Sequence, residues 1–110
     1  MKTHIKNSDV PIEEVAWGMT RQVMEYDTNL MLVRVCFKKD AVGSEHAHIH
    51  QQVTYIEKGI FEVNIGGKKE VLKAGDAYVI PSNVLHGAVC LEDGILIDTF
   101  SPMREDFIKK

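Results

Sequence analysis

The stretch that decides the fold is FEVNIGGKKEVL, running from Phe61 to Leu72. Phe61, Val63 and Ile65 alternate with Glu62 and Asn64, which is the two-residue period of a half-buried strand and not the 3.6-residue period of a helix. Gly66-Gly67 interrupts the alternation, and Glu70-Val71-Leu72 resumes it. Paired glycines supply the positive φ that a two-residue hairpin turn demands, so the segment predicts two antiparallel strands.

The same pattern repeats outward in both directions. Upstream, Val53 to Glu57 reads as a strand ended by Gly59, and Leu30 to Phe37 as a strand rich in Val and Leu. Met19 to Tyr26 is a candidate edge strand, and the residues before it are ambiguous. Downstream, Gly75-Asp76 predicts a turn and Ala77 to Ile80 a strand. Pro81 ends that strand, because proline removes a ladder donor. His86 to Leu91 and Ile95 to Phe100 flank Asp93-Gly94, a further hairpin signal. Helix is confined to the C-terminus, where Ser101-Pro102 reads as an N-cap with proline at the first helical position, opening a short helix from Met103 to Lys109. Many short strands at this spacing predict an all-β sandwich or barrel.

With 110 residues the chain suits a single domain spanning residues 1–110. Its 45% apolar and 26% charged composition is that of a globular core and not of a disordered chain. The net charge of −3, with basic residues scattered, argues against nucleic-acid binding, which needs surplus Lys and Arg. No stretch approaches the roughly 20 apolar residues of a membrane span. The N-terminus lacks the apolar run of a secretory signal, so the expected compartment is the cytoplasm. There Cys36 and Cys90, each in an apolar strand and neither in a Cys-x-x-Cys pair, are expected as thiols packed like small hydrophobes.

Three of the five histidines fall in His46-Ala47-His48-Ile49-His50-Gln51-Gln52. Residues i and i+2 of a strand share a side, so His46 and His48 can aim two imidazoles at one point. An unbent strand would add His50 and Gln52, yet successive same-side residues lie about 7 Å apart, so four groups cannot converge. Either one drops out or the chain bends. Alone, the segment reads equally well as a polar strand end with solvated histidines. His86 adds weight, because it follows Pro81 at a loop-to-strand junction. Imidazoles with an amide oxygen and no thiolate suit Mn, Fe, Ni, Co or Zn and exclude none of them. His4, near the terminus, is expected to be solvated.

The segment GSEHAHIHQQVTYIEKG, Gly43 to Gly59, resembles the first cupin motif: Gly, a short gap, His-x-His, a third ligand, then Gly. The usual third ligand is Glu; the matching position here is Gln52, and Gln is a known variant. GDAYVIPSNVLHG, Gly75 to Gly87, resembles the second motif: Gly, five residues, Pro, four residues, His. The pair implies a cupin, a double-stranded β-helix or jelly-roll barrel. It implies one divalent transition metal held by His46, His48, Gln52 and His86. NLMLVRVCFKKDAVGSEHAHIHQQVTYIEKG and IDTFSPMREDF further resemble the pectin-degradation cupins called KdgF. That family's Asp-x-Phe-Ser-Pro-x-Arg-Glu-Asp run recurs as Asp98, Phe100, Ser101, Pro102, Arg104, Glu105 and Asp106, and the likeness extends from about Trp17 onward. It implies an enzyme that converts 4,5-unsaturated uronate monosaccharides, released by pectate and alginate lyases, to linear 5-keto-4-deoxyuronate. Asp98 would match the catalytic carboxylate, and Phe100 and Arg104 substrate-contacting positions. Ile49 and Gln51 depart from the proline and glutamate common there, and neither is a presumed ligand.

These residue types suit that chemistry. A bound metal polarises sugar oxygens as a Lewis acid. Asp98 is placed to move protons. Arg104 offers a planar fork for the substrate carboxylate. Without the likeness, each has a plainer role: Asp98 in a turn or paired with Arg34, Phe100 in the core, Arg104 on a surface helix. His50 is expected to support the site, and Tyr55 and Arg34 are candidate cavity liners. Two other functions share the platform, an Fe(II) oxygenase and a non-catalytic sugar- or metal-binding module, because one fold hosts many activities. A homodimer joined through edge strands is expected, since pairing edges limits aggregation.

Overall fold

The computed structural model describes residues 2–108. Eight strands follow one another: β1 (Glu13–Ala16), β2 (Met19–Tyr26), β3 (Met31–Phe37), β4 (Val42–His46), β5 (Gln51–Ile65), β6 (Lys68–Lys73), β7 (Ala77–Ile80) and β8 (His86–Ser101). One turn of helix, α1 (Glu105–Ile108), ends the described chain. All eight strands belong to one antiparallel sheet in the order β1-β2-β3-β8-β5-β6, with β4 also on β8 and β7 also on β5. This is an all-β barrel, one of the two forms the alternation allowed, in the jelly-roll arrangement that the cupin resemblance implied.

The long strands β5 and β8 build the barrel, because each serves both of its halves. The start of β8 pairs with β4 and with the end of β5, and the end of β8 pairs with β3 and with the start of β5. Here the structure corrects two expectations. Gly59 does not end a strand, and Asp93-Gly94 is not a hairpin turn: both lie inside β5 and β8. The β5–β8 register shifts three times between Ile56 and Phe61. The inward parity of β5 changes there, from Gln52, Thr54 and Ile56 to Phe61 and Val63, as extra residues in a ladder require. The glycines serve close approach. A Cβ on Gly59 would stand 2.6 Å from Asp93 O, and one on Gly94 would stand 2.6 Å from Lys58 O and from the Phe61 ring. Gly66 and Gly67, at φ 58° and 88°, do form the predicted turn.

The C-terminal helix is also shorter than predicted. Ser101 remains in the ladder opposite Gln51, and the Met103 N–H donates to Thr28 O at 3.2 Å. These backbone groups are committed elsewhere, so Ser101 caps no helix and α1 begins only at Glu105. Lys109, the predicted end, lies outside the described residues. β2 forms where predicted but is not an edge, since β1 covers it. β1 and β6 close the two ends of the main strand path, β4 and β7 also have a single partner each, and β1 and β6 carry Glu13, Glu14, Lys68, Lys69, Glu70 and Lys73, charges that discourage further pairing.

The core is packed by inward parity. Met31, Val33, Val35 and Phe37 of β3 point in, against Ile56, Phe61, Val63, Ile80, Cys90, Leu96 and Phe100. Phe37 and Phe61 meet edge to face at 5.2 Å. Cys90 is buried, Cys36 is half-buried, and both are free thiols.

Candidate metal centre and substrate cavity

Antiparallel register brings the two histidine segments together. His46 ends β4 directly opposite His86, which begins β8, and their rings lie 4.4 Å apart. Beyond His46 the chain leaves the sheet and bends through residues 47–50. Asn83 N–H holds that bend by donating to His48 O at 2.7 Å, and Ser82 Oγ donates to Ile49 O. The bend turns His48 back toward the other two rings, at 5.4 Å from His46 and 4.8 Å from His86. The ligand atoms of His46, His48 and His86 lie within 4.8 Å of one another. The bend settles the crowding that a straight strand would impose. His50 drops out of the cluster. It serves instead through its carbonyl, which accepts the His48 Nδ1–H at 2.9 Å, and through its ring, packed edge-on against His48.

The three imidazoles share one pattern. Nδ1 of His46 donates to Ser44 O, Nδ1 of His48 to His50 O and Nδ1 of His86 to Val84 O. With Nδ1 protonated, Nε2 carries the lone pair, the arrangement of metal-ligating histidines. Nε2 of His48 and of His86 is buried with no hydrogen-bond partner. A buried polar atom without a partner is costly, and a cation at the convergence point would satisfy both. Burial, then the charge of Arg104, pushes the His48 pKa down to about 4, and burial also lowers that of His86. Both rings are therefore neutral near pH 7, as ligands must be. The donor set fits a divalent transition ion.

Below the imidazoles a cavity of about 390 Å³ is lined by His46, Gln52, His86, Asp98, Phe100 and Arg104 among others. Gln52, the first inward residue of β5, is buried and donates its Nε2 to Thr54 Oγ1 at 2.9 Å and to Asp98 Oδ1 at 3.4 Å. Its Oε1 is thereby the acceptor end. Thr54 Oγ1 donates to Asp98 Oδ1 at 2.6 Å. Burial raises the Asp98 pKa from 3.8 to about 6, against the lowering pull of Thr54, Arg104, Gln52 and His46. Phe100 is both core and cavity wall, touching the His48 ring edge at 5.8 Å. Asp98 and Phe100 share a face of β8, as their spacing predicted.

Arg104 is buried and precedes the helix, so it is no surface helix residue. Its guanidinium packs against Phe107 at 4.3 Å and Phe100 at 5.1 Å. Nε and Nη2 already grip Asp106, at 3.0 and 2.7 Å, which leaves Nη1 for a ligand. Arg34 and Tyr55 do not line this cavity. Arg34 lies on the outer face of β3 near Glu57, and Tyr55 is on the exposed parity of β5.

Two residues lining the cavity, Tyr78 and Arg21, and one packed behind it, Thr54, were missed from sequence. Thr54 is fully buried and Tyr78, opposite it on β7, nearly so, with the Tyr78 pKa raised by burial and by the Asp98 charge. Their signal was parity: Thr54 falls between Gln52 and Ile56, and Tyr78 two before Ile80. Arg21 lines the cavity and stacks on Phe107 at 4.0 Å. That contact joins β2 to α1 and has no local signature.

A jelly-roll barrel with histidines from two motifs gathered at its mouth defines the cupins, and a family model for the cupin domain matches residues 33–98. Within that class the chain belongs to the KdgF family. It is 46% identical to the pectin degradation protein KdgF of Dickeya dadantii, across 98% of this chain and 100% of that protein. The solved structure of KdgF from Halomonas sp. superposes with a TM-score of 0.92 at 39% identity, covering 97% of this chain and 99% of that one. An RmlC-like cupin from Shewanella frigidimarina superposes equally well, with a TM-score of 0.92 at 47% identity over 96% of each chain.

Proposed function

We propose that this chain is a metal-dependent enzyme that opens 4,5-unsaturated uronate monosaccharides to linear 5-keto-4-deoxyuronate. One observation carries the reading: two imidazoles of the three-histidine cluster, His46 and His86, and a carboxyl with a pKa of about 6 line the same sugar-sized cavity. Kinship to pectin-degradation proteins supplies the substrate class.

His46, His48, His86 and Gln52 Oε1 would hold the ion, one of Ni, Zn, Mn, Fe or Co. When bound, it supplies Lewis-acid polarisation of sugar oxygens. Asp98 does the proton work. Its Oδ1 accepts from Thr54 and Gln52, so Oδ2 is the atom left for the sugar. Oδ2 takes the proton of the anomeric hydroxyl as the bond from C1 to the ring oxygen breaks and C1 becomes an aldehyde. The same carboxyl returns a proton to C4 as the enolate at C5 becomes a ketone. The proton leaves one oxygen and arrives at one carbon, so the reaction is an isomerisation and needs no oxidant. A carboxyl with a pKa near the working pH both accepts and gives protons effectively. Arg104 Nη1 holds the uronate carboxylate, and Phe100 forms the wall that keeps the sugar against Asp98.

We read the chain as a cytoplasmic homodimer, the compartment suiting its two free thiols. Leu32, Val53, Tyr55 and Val79 remain exposed on the outer barrel face and are the apolar surface a second copy would cover. No helix among the described residues is long and apolar enough to cross a membrane.

The test is the decay of ultraviolet absorbance in lyase-generated unsaturated monosaccharides. Metal-loaded protein should speed it, and chelated protein should not. Tight sugar binding without faster decay would replace the enzyme with a binding module. Oxygen consumption coupled to turnover would replace the isomerase with an oxygenase.

A further inference from the structure

We propose that Thr54 is a positioning residue whose hydroxyl decides which end of the Gln52 carboxamide faces the three imidazoles, while the same hydroxyl anchors Asp98. The inference rests on the metal-dependent reading above. It follows from counting hydrogens. Thr54 sits on the inward face of β5, opposite Asp98 on β8 and opposite Tyr78 on β7, with no solvent exposure. A hydroxyl has one proton and two lone pairs. An ionised carboxylate only accepts, so the Thr54 proton goes to Asp98 Oδ1, at 2.6 Å. The Thr54 oxygen then has only lone pairs left for its neighbours. Gln52, 2.9 Å away, must therefore turn its NH₂ group toward Thr54. The direction of one hydrogen bond thus propagates along the row. It leaves Gln52 Oε1 as the end free to meet a cation, and an amide oxygen ligates metals where an amide NH₂ does not.

A purely structural Thr54 would only satisfy a buried network. The two roles separate by experiment. Thr54→Val keeps the shape and removes the hydroxyl, while Thr54→Ser keeps the hydroxyl and removes the methyl. Each variant of the full chain is stripped with chelator, titrated with Co(II), and read by its visible absorption spectrum, with uronate turnover measured in parallel. In Thr54→Val the Gln52 amide loses its 2.9 Å anchor and keeps only the longer contact to Asp98 Oδ1, at 3.4 Å, so its orientation is held far more weakly. Co(II) affinity should fall about 10- to 100-fold, the usual effect of losing a group that orients a ligand. The Co(II) bands should shift, and kcat should fall at least about tenfold with KM changed far less. Thr54→Ser should restore all three. In a Gln52→Ala background, Thr54→Val should have no further effect on the Co(II) spectrum. A folded Thr54→Val with unchanged Co(II) affinity and bands overturns the proposal, as does a Thr54→Ser that resembles Val. Should Val fail to fold, Thr54→Ala leaves space instead of a misfit and carries the same measurement. If the unmodified chain binds Co(II) yet turns over no uronate, the reaction assignment fails, and the spectra still decide the role of Thr54.

Discussion

Replacing Asp98 with Asn should make the metal-free protein more stable while nearly abolishing turnover. The Asp98 pKa stands at about 6 against an ordinary 3.8, and burial is the main cause. At about 1.4 kcal/mol per pH unit, holding Asp98 ionised costs the folded chain about 3 kcal/mol above pH 6. Below pH 4 the folded and unfolded chains are both protonated and the penalty vanishes. Between about 4 and 6 the unfolded chain ionises first, so this group's contribution to stability is lost as pH rises. Asn cannot ionise, and its Oδ1 still accepts from Thr54 and Gln52. At pH 8 Asp98→Asn should therefore gain about 1–3 kcal/mol over the parent, allowing for partial screening through the cavity. At pH 4.5 most of that gain should be gone. Urea unfolding of chelated parent and variant at both pH values measures the difference and cancels what the two share, histidines included. Turnover by absorbance decay should fall about 100- to 10,000-fold. A variant no more stable than the parent at pH 8, or equally stabilised at both pH values, would refute the buried-charge argument. Near-normal turnover with full metal loading would make Asp98 structural.

Elemental analysis should find about one divalent ion per chain, with His48→Ala or His86→Ala losing more of it than His50→Ala; the reverse order would overturn the ligand assignment. Because the His48 pKa is lowered to about 4, protons should compete for that ligand only as the pH nears this value, well below the usual 6.5, which metal titration across pH 4–7 checks. Arg104→Ala should chiefly raise KM, and Arg104→Lys should not fully rescue it, since an ammonium can neither chelate Asp106 through two prongs nor stack alike on Phe100 and Phe107; steady-state kinetics decide this. Gly94→Ala should lower the thermal midpoint sharply, because its Cβ meets backbone and a packed ring at 2.6 Å, whereas Gly67→Ala meets nothing within 4 Å and should cost only about 1 kcal/mol for its positive φ.

Strand bounds were legible wherever alternation met a turn with no tertiary alternative. Met19–Tyr26, Ala77–Ile80 and the Gly66-Gly67 hairpin form as read. Gly59 and Asp93-Gly94 were misread, because glycine permits a turn and a close approach equally, and only the partner strand decides which occurs. Ser101-Pro102 was misread for a related reason: a cap needs free hydroxyl and backbone geometry, and Ser101 was already in a ladder with Gln51.

By itself the sequence determined the class of the protein. Two-residue alternation specifies an all-β sandwich or barrel, and the likeness to two cupin motifs implies four groups for a metal, because both properties are local in the sequence. Tertiary structure alone decided the site's working order. It bent residues 47–50 so that three imidazoles converge and His50 drops out. It closed the fork of Arg104 on Asp106, placed Arg21 against Phe107, and inserted Thr54 between Gln52 and Asp98. The His46–His86, Arg21–Phe107 and Thr54–Asp98 contacts join segments far apart in the chain, and hydrogen-bond direction depends on which donors meet which acceptors across them.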